Sequence, residues 1–399
     1  MNDDSGVSLE EFRRDVASFL HEHFDVRDPA LDDDRGDVIA RTPDGHDVLV
    51  ERAVELQSLL AGAGYSGVQL PEEYGGRGLT PAHAAVVTEE VRRYATPSLR
   101  PLGIGMTLAM ATLLGHGSEA QKQRYLRPLV RGEQRWCQLF SEPDAGSDLV
   151  ALRTRAVRDG DEWVLDGQKV WSSYAASAHF GMVLARTDPD ASPPHAGITM
   201  FVVPIDAPGV TVRPLVDITG QLHFNEVFLE GVRVGDDSVI GDVDNGWRVS
   251  QSTLGGERSG YTGGSGGGRR RRQVVAAAKA AGRSSDPVAR QGIARIVTQE
   301  LILEWLRDRF LAGTLAGGHP AAGSMMKLAA GNLEQGSAEM VVDLTGAAAQ
   351  SWDVSSRHGD VASHGVGAAR QATIAGGTHE IQHNVLGERV LGLPKEPRP

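Results

Sequence analysis

The chain has 399 residues, a formal net charge of −12 and one cysteine. That length allows two or three domains with sizeable cores, and the acidic balance argues against general nucleic-acid binding. Cys137 alone leaves no intrachain disulfide and no cysteine-based zinc site, and it suits a reducing cytoplasm.

Met1 to Ser5 lack the basic and apolar regions of a secretory signal, and no apolar run is long enough to span a bilayer. A cytoplasmic protein without a membrane span is expected. The first third reads mostly as helix. Ser8-Leu9-Glu10-Glu11-Phe12 has the form of a cap and first turn, with apolar spacing through Val16, Phe19 and Leu20. Residues 27–47 are acidic and irregular and predict a surface loop. Helices are predicted from Val50 to Ala63, Pro81 to Tyr94, Met106 to Gly115 and Glu119 to Arg131, with a turn-rich break from Pro71 to Leu79.

From about Arg135 to Asp242 the period changes. Trp163 to Leu165, Met182 to Ala185, Ile198 to Val203 and Val210 to Val212 are short runs rich in β-branched residues, separated by Gly, Pro and Asp. Helical patterning returns after Gly246-Trp247. It is read from Pro287 to Leu315, from Gly323 to Thr345 and from Thr378 to Leu391. The expected organisation is α+β: a helical domain over 1–134, a β domain over 135–242 and a helical domain over 243–399.

Two segments carry chemistry. Leu139 to Asp148 (LFSEPDAGSD) is a tight loop between two apolar runs, with a hydroxyl near each end, suited to holding something flat and anionic. Asp166 to Tyr174 (DGQKVWSSY) places a large aromatic and two hydroxyls at the end of a strand. Together they suggest a flavin, with the loop for phosphates and ring edge and the indole against the isoalloxazine.

In this order the motifs resemble those of the acyl-CoA dehydrogenase family. Pro71 to Gly76 looks like its Pro-x-x-Tyr-Gly-Gly segment and Gly115 to Leu126 like its Gly-x-x-x-Gln-Lys helix. Ser141 to Asp148 is similar to its Thr-Glu-Pro-x-Ala-Gly-Ser-Asp loop, and Gly376-Gly377-Thr378 to Gln382 to its Glu-Gly-Thr turn and last helix. The resemblance covers nearly the whole chain. It implies a helical domain, a central β-barrel or sandwich and a C-terminal helical bundle, with FAD as cofactor. Gln138, Phe140 and Ser141 would then touch the flavin ring and Ser147 would lie near the pyrophosphate. Trp171 would lie on the isoalloxazine, Ser173 would bond near N5, and Thr378 and Glu380 would reach FAD from the last helix, whose N-terminus favours phosphate.

The family's reaction needs a base for the proton α to a thioester carbonyl, hydrogen bonds that polarise the carbonyl, and hydride acceptance by the flavin. The family's usual base position is Gly376 here, which keeps only a backbone N–H for the carbonyl. Some members carry the base just before an Arg on the pocket helix. That position is Glu257, followed by Arg258, which would face the CoA side or hold the helix; a helix-surface pair is the bland alternative. The family's Arg-x-x-Phe-Gly segment is not intact. Arg283 falls near its Arg, either forked onto a pyrophosphate or solvated in a loop. Asp343 to Ala347 stands where a Gln-x-x-Gly-Gly-x-Gly segment would be. These departures suit a heteromeric enzyme of two related subunits as well as a homo-oligomer, with an acyl-CoA substrate and an electron-transfer flavoprotein as acceptor. A silent subunit, or an oxidase or desaturase on the same fold, are the alternatives.

Six glycines between Gly260 and Gly268 suggest a wide pocket for a branched or steroid-type acyl group, or else a broken helix end. Arg269 to Arg272 reads as a solvated charged turn, with CoA phosphates the alternative. His379-Glu380-Ile381-Gln382-His383 matches a zinc-protease pattern. No third ligand is evident, and the flavin family explains the turn before it, so no metal is expected.

Overall fold

A computed structural model describes residues 7–27, 42–254, 268–352 and 357–395. They fall into two units, 7–27 with 42–254 and 268–352 with 357–395.

In the first unit, α1 (Leu9–His23) buries Phe12, Val16 and Leu20, as its spacing predicts. The next helix, α2 (Pro43–Gly62), starts before the predicted Val50. Thr42 accepts a hydrogen bond from the Gly45 N–H, and Pro43 supplies a helical φ at the first position. Residues 43–47 therefore belong to a helix, which corrects that end of the expected 27–47 surface loop; residues 28–41 lie outside the described residues. Between 43 and 47 the buried residues are Gly45 and His46, which carry no apolar period. Helices α3 (Pro81–Arg93), α4 (Met110–His116) and α5 (Glu119–Val130) lie where they are predicted. Ser118 and Gln121 form a capping box at the start of α5, and the Gln121 amide also donates to the carbonyls of Asp237 and Val239.

The strands are β1 (Trp136–Leu139), β2 (Arg155–Asp159), β3 (Glu162–Lys169), β4 (Phe180–Arg186), β5 (Ile198–Pro204), β6 (Val210–Leu215), β7 (Phe224–Gly235) and β8 (Val239–Ile240). They form one sheet in the order β6-β7-β3-β2-β4-β5-β8, with β1 pairing in parallel with β4. The four apolar runs are β3 to β6. Strand β2 buries only Ala156, so its sequence carries little strand pattern.

Period-two alternation divides β4 and β5 between two cores. Met182, Leu184, Met200 and Val202 pack with Leu108, Leu113 and Leu126 of the helices. Val183, Ala185, Phe201 and Val203 pack with Cys137, Trp163, Leu165 and Val227. The second cluster draws on six strands, so the sheet curls around its own side chains. A further helix, α6, is described over residues 246–254; its Thr253 hydroxyl meets that of Thr112 at 2.7 Å.

The second unit contains α7 (Arg269–Ala280), α8 (Pro287–Leu311), α9 (Gly323–Thr345), α10 (Arg357–Ala368) and α11 (His379–Val385). Its core includes Val274, Ile296, Leu303, Met326 and Leu333. Helices α7 and α10 are not predicted by the sequence pattern. Arg269 to Arg272 form the first turn of α7, which corrects the expected solvated turn. Four cations at a helix N-terminus oppose the macrodipole. The fold answers with Glu300 of α8, 1% exposed, whose carboxylate accepts from the Arg270 and Arg271 backbone N–H groups at 3.0 Å each. The buried Arg270 guanidinium pairs with Glu334. Glu300→Leu strands two amides without acceptors and is expected to cost on the order of 2 kcal/mol. A lowered urea midpoint with an unchanged slope would register it.

Candidate active site

In the first unit, the loop after β1 and the end of β3 are stitched together. The Val170 N–H donates to the Ser141 carbonyl at 2.9 Å. Lys169 is fully buried, and its Nζ donates to the Phe140 carbonyl at 3.0 Å and to Glu142 Oε1 at 2.8 Å. Glu142 also accepts from the backbone N–H groups of Arg153 at 2.6 Å and Thr154 at 2.9 Å. Burial raises the Glu142 carboxyl, but the Lys169 ammonium and the other donors outweigh it and hold it below the usual carboxylate range. Burial pushes the Lys169 ammonium down to about 8, against the pull of Glu142.

Beyond Lys169 the chain turns sharply. Trp171 has φ +59° and Tyr174 φ +56°, the left-handed region that side chains disfavour. The Trp171 side chain is 59% exposed, with its ring edge-on to Phe224 at 5.6 Å. On the other side, the buried Asn225 amide donates to the Ser172 carbonyl, and the Ser172 N–H donates to the Asn225 carbonyl, both at 3.0 Å. Phe140 is buried, Gln138, Ser141 and Ser173 are half-buried, and Ser147 is exposed on the loop. An exposed indole on a strained backbone, beside a loop with an exposed serine, fits a flat aromatic cofactor with a phosphate tail.

In the second unit, Gly376 and Gly377 both take left-handed conformations, φ +68° and +91°. Only glycine adopts two such residues in succession at no steric cost. The buried Gln382 amide nitrogen donates to both of their carbonyls, at 2.9 and 3.2 Å. Thr378 then caps α11 by accepting from the Ile381 N–H at 3.3 Å. The N–H and hydroxyl groups next to Glu380 hold its carboxyl below the usual range. The Arg283 guanidinium is engaged inside its own unit. It donates to Asp286, the cap of α8, at 2.6 Å and to the Asp343 carbonyl at 2.7 Å.

His379 packs against Gly331, so close that a methyl at 331 would sit 2.5 Å from Nε2. Among the described residues no group of three or more His, Cys, Asp or Glu is placed to hold a metal. None of the described helices is long and apolar enough to cross a membrane. Glu257, Arg258 and the glycines from 260 to 267 lie outside the described residues. Gly268, with φ +72°, immediately precedes α7.

Sequence reasoning missed Lys169, Glu142, Asn225 and Gln382. A signal existed for the first: Trp163, Leu165 and Lys169 share the parity of the buried face of β3, and a lysine there demands a carboxylate.

Comparison with known proteins follows the same lines. Family models described as acyl-CoA dehydrogenase N-terminal, middle and C-terminal domains match residues 9–133, 137–232 and 244–391. The acyl-CoA dehydrogenase IpdE1 of Mycobacterium tuberculosis is 36% identical over 393 residues, covering 97% of this chain and 98% of that protein. The solved Tcur3481-Tcur3483 steroid ACAD superposes with a TM-score of 0.81 at 27% identity, over 97% of this chain and 98% of that one. The ChsE4-ChsE5 complex from Mycobacterium tuberculosis gives a TM-score of 0.74 at 25% identity, over 97% and 98%.

Proposed function

Because the chain belongs to the acyl-CoA dehydrogenase family of flavoprotein oxidoreductases, we propose that it is an FAD-dependent α,β-dehydrogenase of bulky acyl-CoA thioesters. The observation that carries this reading is the exposed Trp171 held beside the 139–148 loop at the end of β3. Bound FAD supplies hydride acceptance, which no side chain can. In the first unit Gln138, Phe140 and Ser141 would line the ring edge, Trp171 its face, Ser173 its N5 side and Ser147 the pyrophosphate, and Thr378 and Glu380 of the second unit would reach an FAD through the start of the last helix.

The chain's own residues do the proton chemistry. Glu257 removes the proton α to the carbonyl, since Gly376 has no carboxylate. The Gly376 backbone N–H polarises the thioester carbonyl and stabilises the negative charge that grows there. Arg258 would serve the CoA side or hold the helix. The acyl group is assigned to the branched or steroid class from the glycines of 260–268 and from the relative named as a steroid ACAD. The physiological acceptor is an electron-transfer flavoprotein and the compartment is the cytoplasm.

A second reading has its own support: the chain is one subunit of a heteromer. Gly376 lacks the family's carboxylate, and both solved relatives above carry paired names. The test is the visible spectrum of the chain purified alone and co-expressed with a paralogous subunit, followed by anaerobic titration with acyl-CoA thioesters. A yellow protein bleached faster by steroid-type than by medium straight-chain thioesters is expected. Faster bleaching by the straight chains sinks the substrate assignment. Colour and activity only on co-expression favour the heteromer.

A further inference from the structure

We propose that Lys169 and Glu142 are a pair of positioning residues that fix the Trp171 indole relative to the 139–148 loop. They would thereby set the surface that receives the flavin ring. The inference rests on the flavin reading above and adds to it which residues hold that surface in shape.

A buried ion pair is a poor device for stability, because a well-packed apolar pair of the same volume often does as well or better. What charge adds is direction. Lys169 Nζ binds the entry of the loop through the Phe140 carbonyl and its middle through Glu142. The Glu142 oxygens bind the chain just before β2 through the Arg153 and Thr154 N–H groups. The first part of the loop and the start of β2 are thus tied to one atom cluster at the end of β3. Trp171 follows Lys169 by two residues and is 59% exposed, with its ring edge-on to Phe224. Besides that contact, its place depends on the backbone, which Lys169 anchors before the turn and Asn225 anchors after it.

The test uses Glu142→Gln, Lys169→Met and the double variant, each also made with Trp171→Phe so that the difference isolates Trp171 emission. Thermal midpoint, iodide quenching of Trp171 and anaerobic bleaching of the flavin by acyl-CoA are measured on the full chain. Each single variant buries an unpaired charge and is expected to lose stability. The double variant buries none and is expected to recover its thermal midpoint. If the pair positions Trp171, the double variant still shows altered iodide quenching, and its bleaching is about 10²-fold slower, the scale of a misplacement near 1 Å. A double variant that recovers the midpoint, the quenching and the bleaching together overturns the proposal. Should the double variant not fold, Lys169→Arg keeps the cation and moves its donors, and wild-type quenching in that variant is equally fatal. A wild-type protein that stays colourless with FAD sinks the flavin reading alone, because Trp171 quenching still reads the pair.

Discussion

Glu257→Gln is expected to slow reductive bleaching of the flavin by acyl-CoA about 10²–10⁴-fold, the contribution of a well-placed general base. Glutamine keeps the volume of glutamate and one acceptor oxygen, but its amide is not a base. The loss should therefore fall on the chemical step, with KM and FAD content close to those of the parent protein. The reason to look at Glu257 is an absence elsewhere: the turn that carries the base in the family carries Gly376 here, in a left-handed conformation with φ +68°. Single-turnover mixing in a stopped-flow instrument reads the step directly. An undiminished rate removes Glu257 from the mechanism and points to a base supplied by another subunit.

The second large effect is expected at Gly377. Its φ of +91° is strained for any L side chain, and an alanine Cβ would lie 2.5 Å from the Gln382 amide nitrogen. That amide is the donor holding the Gly376 and Gly377 carbonyls. Gly377→Ala therefore forces the turn and Gln382 apart and moves the Gly376 N–H from its place. Loss of one such donor at a developing oxyanion costs about 10²–10³ in kcat. Backbone strain adds about 1–3 kcal/mol of destabilisation. Steady-state kinetics beside thermal melting separates the two. A fall in kcat at temperatures where the variant is fully folded supports the role of the turn, and an unchanged kcat in a folded variant refutes it.

Much of the architecture was legible along the chain. The helices α1, α3 and α5 bury one face, which leaves a helical period in the sequence, whereas β4 and β5 bury both faces and so stand out as continuous apolar runs bounded by Gly, Pro and Asp. Helix α7 escaped because its first turn is four arginines, whose cost is offset by Glu300 and Glu334, thirty and sixty-odd positions away. The start of α2 escaped because what it buries is a glycine and a histidine stacked on Tyr174. The sheet order was equally hidden: β1 pairs with β4, and β3 with β7, across long intervals of chain.

By itself the sequence determined the succession of a helical, a strand-rich and a helical region, the loop from Leu139 to Asp148, the aromatic two residues after Lys169, and the absence of a carboxylate at 376. Those are properties of residue type and spacing. Only the tertiary structure decided that Lys169 and Glu142 neutralise one another inside the sheet, that Arg283 is spent on Asp286 and Asp343, and that Gln382 holds the Gly376–Gly377 turn. A buried charge or amide needs a partner wherever the fold brings one. That partner is fixed by the path of the chain in space, and no local pattern records it.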